Sequence, residues 1–269
     1  MNDASIGVFD SGMGGLTVMR ALRARLPHEH FIYLGDTARL PYGTKSADTV
    51  RRYALQAATA LTRRGVKMVV IACNTASVSL PALKDALAPM PVVGVIEPGA
   101  EATLAANAKG PIAVIATEGT VKGGTYVRAL ERLGNAPVVQ QACPLFVPIA
   151  EEGLTQGPIA EAIVHRYLDP LLATVPKPKS LLLGCTHYPV LKDVIARVAG
   201  KDVILVDSAE TTAAAVEKHL RELNLETKRS GAPAPVFLVT DAPDRFARVG
   251  EIFLGEPIDP GRVELVDLQ

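Results

Sequence analysis

The feature that most constrains this chain is a set of short runs that are apolar at nearly every position, separated by longer stretches with helical spacing. Ile6-Gly7-Val8-Phe9, Met68-Val69-Val70-Ile71-Ala72 and Ile112-Ala113-Val114-Ile115 offer no polar face. Strands built from them must be buried on both sides, which requires a parallel sheet under helices. Strands are expected at 6–9, 31–34, 68–72, 92–96, 112–115, 138–142, 180–184, 203–206 and 236–239. Helices are expected at about 15–26, 46–64, 98–108, 121–133, 158–173, 189–198, 209–223 and 243–254. The alternating order implies right-handed crossovers and an α/β architecture. Residues 176–179 and 226–235 read as connections.

The sequence also echoes itself at an offset of roughly 110 positions, a spacing that points to duplication rather than a solenoid. Ile6-Gly7-Val8-Phe9 is answered by Ile112-Ala113-Val114-Ile115, and Ile71-Ala72-Cys73-Asn74-Thr75 by Leu183-Gly184-Cys185-Thr186-His187. Pro81-Ala82-Leu83-Lys84-Asp85 is answered by Pro189-Val190-Leu191-Lys192-Asp193, and Val95-Ile96-Glu97 by Leu205-Val206-Asp207. Four pairs in one order argue against chance. The expected fold is two similar three-layer α/β/α domains with parallel sheets, related by a pseudo-twofold. One would comprise 1–97 plus 207–269 and carry Asp10 and Cys73; the other, 98–206, would carry Cys185 and His187.

Composition removes several classes of function. The 28 basic and 28 acidic side chains cancel, and no basic run gives the footprint of a nucleic-acid binder. Three cysteines in 269 residues do not make a disulfide framework and suit a reducing compartment. Residues 1–9 have neither the basic region nor the apolar stretch of a signal peptide, and no apolar run is long enough for a bilayer. The expectation is a soluble, cytoplasmic protein with no membrane partner.

In parallel sheets the ligand crevice lies beyond the carboxyl ends of the strands. Collected there are Asp10-Ser11, Cys73-Asn74-Thr75, Thr117 with Thr120, and Cys185-Thr186-His187. Each half places one cysteine between a strand end and a helix, where unpaired N–H groups favour a thiolate. Cys143, followed by Pro144-Leu145, reads instead as a small core residue. Two thiols facing one cleft suit inversion of a stereocentre through a carbanion, which needs a base on one face and an acid on the other. Asp10 is placed to influence Cys73, and His187 to influence Cys185. Ser11, Asn74, Thr75, Thr117, Thr120 and Thr186 supply neutral donors able to hold carboxylates beside backbone N–H groups. The Pro41-Tyr42-Gly43 turn is either plain turn chemistry or a clasp for an anionic side chain. Glu152 is either a solvated charge or a partner for His187.

Five motifs, taken together, resemble the glutamate racemases of the aspartate/glutamate racemase superfamily. They are Asp10-Ser11-Gly12-Met13-Gly14-Gly15-Leu16-Thr17, Gly35-Asp36-Thr37-Ala38-Arg39-Leu40-Pro41-Tyr42-Gly43, Ala72-Cys73-Asn74-Thr75-Ala76-Ser77, Gly184-Cys185-Thr186-His187-Tyr188-Pro189 and Val206-Asp207-Ser208-Ala209. The resemblance implies a cofactor-independent two-base racemase that supplies D-glutamate for peptidoglycan and so for cell-wall biogenesis and cell shape. It implies an active site between the two domains, with Cys73 taking the α-proton of D-glutamate and Cys185 that of L-glutamate. Asp10 and His187 would assist, and Glu152 would orient His187. Asp10, Ser11, Tyr42, Gly43, Asn74, Thr75, Thr186 and His187 would form the substrate pocket. The small-molecule partner is glutamate, no metal is implied, and a homodimer is a family expectation.

Other readings stay open on the residues alone. An aspartate racemase or related isomerase would use the same cysteine pair. A nicotinamide enzyme is disfavoured because Gly12-x-Gly14-Gly15 departs from the G-x-G-x-x-G fingerprint and Asp10 would repel a pyrophosphate. Cys73, Cys185, His187 and Asp10 have the ligand types of a zinc site, but only a weak spacing signal. A non-catalytic amino-acid-binding module would tolerate loss of both thiols.

Overall fold

The computed structural model describes residues 2–106, 110–231 and 234–268. The chain opens with β1 (Ile6–Asp10), α1 (Leu16–Arg25), β2 (Phe31–Gly35), α2 (Ala47–Arg63) and β3 (Met68–Ile71). Next come α3 (Asn74–Ser77), α4 (Leu80–Leu87), β4 (Val92–Gly94) and α5 (Ile96–Ala106). The middle of the chain forms β5 (Ile112–Ala116), α6 (Glu118–Gly123), α7 (Thr125–Leu133), β6 (Val138–Ala142), α8 (Phe146–Glu151) and α9 (Gly157–Leu172). It continues through β7 (Ser180–Gly184), α10 (Lys192–Ala199), β8 (Ile204–Asp207) and α11 (Ser208–Glu222). The last elements are β9 (Val236–Val239), α12 (Pro243–Leu254) and β10 (Val263–Leu265).

These strands make two sheets with every pairing parallel, so the chain is an α/β protein of two parallel-sheet domains. One has the order β10-β9-β2-β1-β3-β4 and the other β6-β5-β7-β8. Without β9 and β10 the two orders coincide, and the sequence echo falls on strands in equivalent places: β1 with β5, β3 with β7, β4 with β8. The central strands β1, β2, β3, β5 and β7 are buried at every position, as their unbroken apolar runs demand. Polar and exposed positions appear where strands lie at sheet edges, in β6, β8 and β10.

The helices follow from local signals. In α2 the buried residues Val50, Ala54, Ala57, Ala58 and Leu61 recur on one face, and Ser46 caps the first turn. Pro243 opens α12 and Gly255, at φ 80°, closes it in the left-handed region. The segment after β8 returns to the larger sheet: α11 packs on α1, α12 packs on α1, and β9 and β10 extend the sheet edge.

Several elements differ from expectation. The helix expected at 121–133 is two helices, because Gly124 adopts φ 60° and breaks the path between α6 and α7. The helix expected at 189–198 opens as a 3-10 turn over Tyr188–Leu191. The expected helix 98–108 starts at Ile96, and its positions 107 and 108 lie outside the described residues, as do 232 and 233 of the connection 226–235. The short elements α3, α4, α8 and β10 carry too few residues to show a period. Among the described residues no helix is long and apolar enough to cross a membrane.

Candidate active site

Level strand ends build the site. Phe9 pairs with Ile71 and Asp10 with Gly35 in the larger sheet, while Ile115 pairs with Leu183 and Ala116 with Gly184 in the smaller. The residues that follow therefore emerge side by side: Ser11 beside Cys73, and Thr117 beside Cys185.

Cys73 is the N-cap of α3. Its sulfur accepts the Ala76 N–H at 3.4 Å, and its S–H donates to Ser11 Oγ at 3.5 Å. Asp10 lies beneath, wholly buried, with Oδ2 accepting the Gly12 N–H at 3.0 Å. Burial and the neighbouring Asp10 carboxylate push the Cys73 thiol up to about 12, against the two hydrogen bonds that lower it. Burial also raises the Asp10 carboxyl, opposed by His187 and by N–H groups of the glycine-rich turn.

Cys185 has a different environment. Its sulfur is 3.9 Å from His187 Nδ1, and the other ring nitrogen, Nε2, is 3.1 Å from Glu151 Oε1. The ring meets Phe253 in a T-shaped contact with centroids 5.0 Å apart. Burial alone would lower His187. The bonds to Cys185 and Glu151, with the charge of Asp10, instead raise it to about 10, so the ring is an imidazolium near neutral pH.

The histidine's partner is a correction. Glu152, expected to orient His187, is the exposed C-cap residue of α8. Glu151, the last residue of that helix, makes the contact, and Arg245 Nη2 donates to its second oxygen at 2.8 Å. Burial works to raise the Glu151 carboxyl, but His187 and Arg245 outweigh it and hold it below its usual range.

The remaining expected residues converge between the two sheets. Thr75 Oγ1 lies 3.0 Å from Thr117 Oγ1 and 3.3 Å from Thr120 Oγ1, joining one half to the other by hydroxyls. A Cβ on Gly43 would meet Thr117 Cβ at 2.9 Å, so the Pro41-Tyr42-Gly43 turn closes directly on the second half. Tyr42 is buried under that turn, its hydroxyl donating to Asp36 Oδ2. The Thr17 hydroxyl donates to the Thr186 carbonyl at 2.9 Å, tying α1 to the Cys185 loop.

Sequence reasoning missed Tyr126, whose O–H donates to Asn74 Oδ1 at 2.7 Å. That bond commits one end of the Asn74 amide and leaves Nδ2 buried with no partner among the described residues, as is Asp10 Oδ1. Two orphaned polar atoms beside two thiols are what a polar ligand would satisfy. Tyr126 sits on α7 with no motif around it, so only the packing reveals it. Cys143 follows β6, an outer strand of the smaller sheet, and is fully buried, with its S–H donating to the Gln141 carbonyl at 3.7 Å. Among the described residues no group of three His, Cys, Asp or Glu side chains is placed to hold a metal ion.

Relatives share this arrangement of chain. The family model described as Asp/Glu/Hydantoin racemase matches residues 7–216. The glutamate racemase of Geobacter metallireducens is 49% identical over 253 residues, 93% of each chain. The glutamate racemase of Francisella tularensis, solved in complex with D-glutamate, superposes with a TM-score of 0.92 at 36% identity, covering 100% of this chain and 99% of that one. That of Thermus thermophilus, solved with β-chloro-D-alanine, gives 0.89 at 44% identity over 99% and 98%.

Proposed function

The chain belongs to the Asp/Glu/Hydantoin racemase family, and on that premise we propose that it interconverts L- and D-glutamate with Cys73 and Cys185 as the two bases and no cofactor. The observation that carries this reading is the equivalent placement of the two thiols, one at the end of β3 and one at the end of β7, beside the orphaned Asp10 Oδ1 and Asn74 Nδ2. The glutamate racemases that match over nearly the whole chain favour glutamate over aspartate as substrate.

With L-glutamate bound, the Cα–H bond breaks, its electron pair stays on carbon and the proton passes to the Cys185 sulfur. Cys73 then gives its S–H proton to the opposite face, keeping the bonding pair as a thiolate. The reverse reaction exchanges the two roles, so each sulfur serves as base in one direction and acid in the other. The imidazolium of His187, 3.9 Å from Cys185, supplies the counter-charge when that sulfur is ionised. At Cys73 the Ser11 hydroxyl and the Ala76 N–H hold the sulfur by hydrogen bonds, while the Asp10 carboxylate favours the protonated thiol that serves as acid in the L-to-D direction. Asn74 Nδ2, the threonine hydroxyls and the Tyr42-Gly43 backbone hold the two carboxylates by hydrogen bonds, which spares a neutral protein a buried lysine or arginine in the pocket. The product D-glutamate would serve peptidoglycan synthesis.

The test is polarimetry on purified protein with no pyridoxal phosphate added. D-glutamate should lose its rotation completely, while D-aspartate turns over far more slowly. No racemisation of glutamate, or a preference for aspartate, rejects the reading. The pH profile carries a further expectation. His187 keeps its proton until about 10, so kcat/KM should hold its plateau below that pH and fall above it as the counter-charge to Cys185 is lost. An alkaline fall already complete by neutral pH would contradict the imidazolium.

A further inference from the structure

Behind the Cys185 thiol stands a chain of contacts longer than its own loop. His187 meets the sulfur with Nδ1, and its Nε2 meets Glu151 Oε1 at 3.1 Å. Glu151 then uses its other oxygen for Arg245 Nη2 at 2.8 Å, while Arg245 Nη1 reaches Met13 Sδ at 3.9 Å. Glu151 ends α8, beside the smaller sheet, and Arg245 sits on α12, which packs on α1 beside the larger one. The guanidinium thus spans the two halves behind the site, touching Met13 of the glycine-rich turn on one side and Glu151 on the other. It is two-fifths exposed, while the carboxylate it grips is nearly buried.

A carboxylate with one oxygen on a histidine ring can rotate about its own bonds unless the other oxygen is also held. Among the described residues, Arg245 alone holds it. Cys73 has no such dependence: its neighbours are Ser11, Asp10 and the Ala76 N–H. We infer that Arg245 is a positioning residue for the Cys185 half of the reaction, clamping Glu151 so that Glu151 keeps His187 turned toward the thiol. The inference rests on the two-thiol reading above and goes beyond it by assigning a one-sided role to a residue that touches neither thiol.

One-sidedness gives the test its readout. L- and D-glutamate have equal free energy, so kcat/KM must stay equal in the two directions for any variant. The balance between the two proton transfers is free to change. In Arg245→Met the transfer at Cys185 becomes the slower one. The kinetic isotope effect with α-deuterated L-glutamate, whose deuteron goes to Cys185, should then rise. That with α-deuterated D-glutamate, whose deuteron goes to Cys73, should fall toward unity. We expect kcat to drop about 10-fold and the ratio of the two isotope effects to rise at least about 1.5-fold. Arg245→Lys, which retains a donor and the charge, should return the ratio most of the way to wild type, and Glu151→Gln should move it in the same direction as Arg245→Met. A variant that merely lost folded protein would lower kcat and leave the ratio untouched. An unchanged ratio in Arg245→Met, whatever its kcat, overturns the inference. Failure of the wild-type protein to racemise glutamate would instead reject the functional reading on which it stands.

Discussion

Replacing either Cys73 or Cys185 by serine is expected to lower kcat by at least about 10³-fold with both enantiomers, because each sulfur takes part in both directions. Serine keeps the size of the side chain and, in the Cys73 position, an acceptor for the Ala76 N–H that cysteine now receives at 3.4 Å. What it loses is a thiol, far more acidic than a serine hydroxyl in the same surroundings. The two losses should be alike in kcat/KM, since the enantiomers are equal in free energy. The internal control is Cys143→Ala. That thiol follows β6, an outer strand of the smaller sheet, and is buried in the core against the Gln141 carbonyl, so its loss should leave kcat within about threefold of wild type at some cost in stability. Steady-state rates for the three variants, with thermal melts to count folded protein, decide the matter. Near wild-type turnover in either Cys73→Ser or Cys185→Ser would remove the two-base mechanism.

A single methyl group far smaller than any of these changes should be nearly as damaging at Gly14. A Cβ there would stand 2.3 Å from His187 Nδ1, 2.4 Å from its Cε1 and 2.7 Å from Thr186 Oγ1. None of those atoms is the free end of a flexible chain. The imidazole is held by Glu151 on its far side and by the T-shaped contact with Phe253, and the Thr186 carbonyl is held by Thr17. The ring must move, and under the proposed mechanism its displacement by about 1 Å costs about 100-fold in rate. Gly14→Ala is therefore expected to lose about 10²-fold in kcat, with about 1–3 kcal/mol of stability from overpacking. The loss should exceed what the melt accounts for. Wild-type kcat in this variant would mean that His187 is not where catalysis needs it.

The fold was legible where burial leaves a strong signature. Strands such as Ile112–Ala116, enclosed on both faces, can hold nothing but apolar residues, and their sequence says so. The cysteine pair was legible because duplication put Cys73 and Cys185 at equivalent strand ends, so each supported the reading of the other. Short and peripheral pieces were not. β10 is three residues on a sheet edge with two of them exposed, a setting that imposes no pattern. In α8, Pro148 lies in the first turn, where a helix tolerates it but a reader sees a breaker.

That unseen helix is why the choice between adjacent glutamates went wrong. Successive residues on a helix point about 100° apart, so only the phase set by Phe146, Ile149 and Ala150 packing inward decides which carboxylate reaches the ring. Glu151 does, while Glu152 has already left the helix. Tyr126 and Arg245 lie on helices that carry no motif, and they reach the site through tertiary packing between segments distant in sequence. Residues at strand ends announce themselves by type, whereas those that brace them do so only by position.

On the proposed mechanism two sulfurs act from opposite faces of the α-carbon, and hydrogen exchange during the first turnovers is the decisive test. In D₂O, starting from unlabelled L-glutamate or unlabelled D-glutamate, the base that removes the proton is not the acid that returns one. Early product should therefore carry deuterium at Cα while the unreacted substrate remains protiated, from both starting enantiomers. Mass spectrometry of the separated enantiomers at about 5% conversion reads this out. If the early product instead retains the substrate's own hydrogen, one group serves both faces, and the account built on Cys73 and Cys185 is wrong.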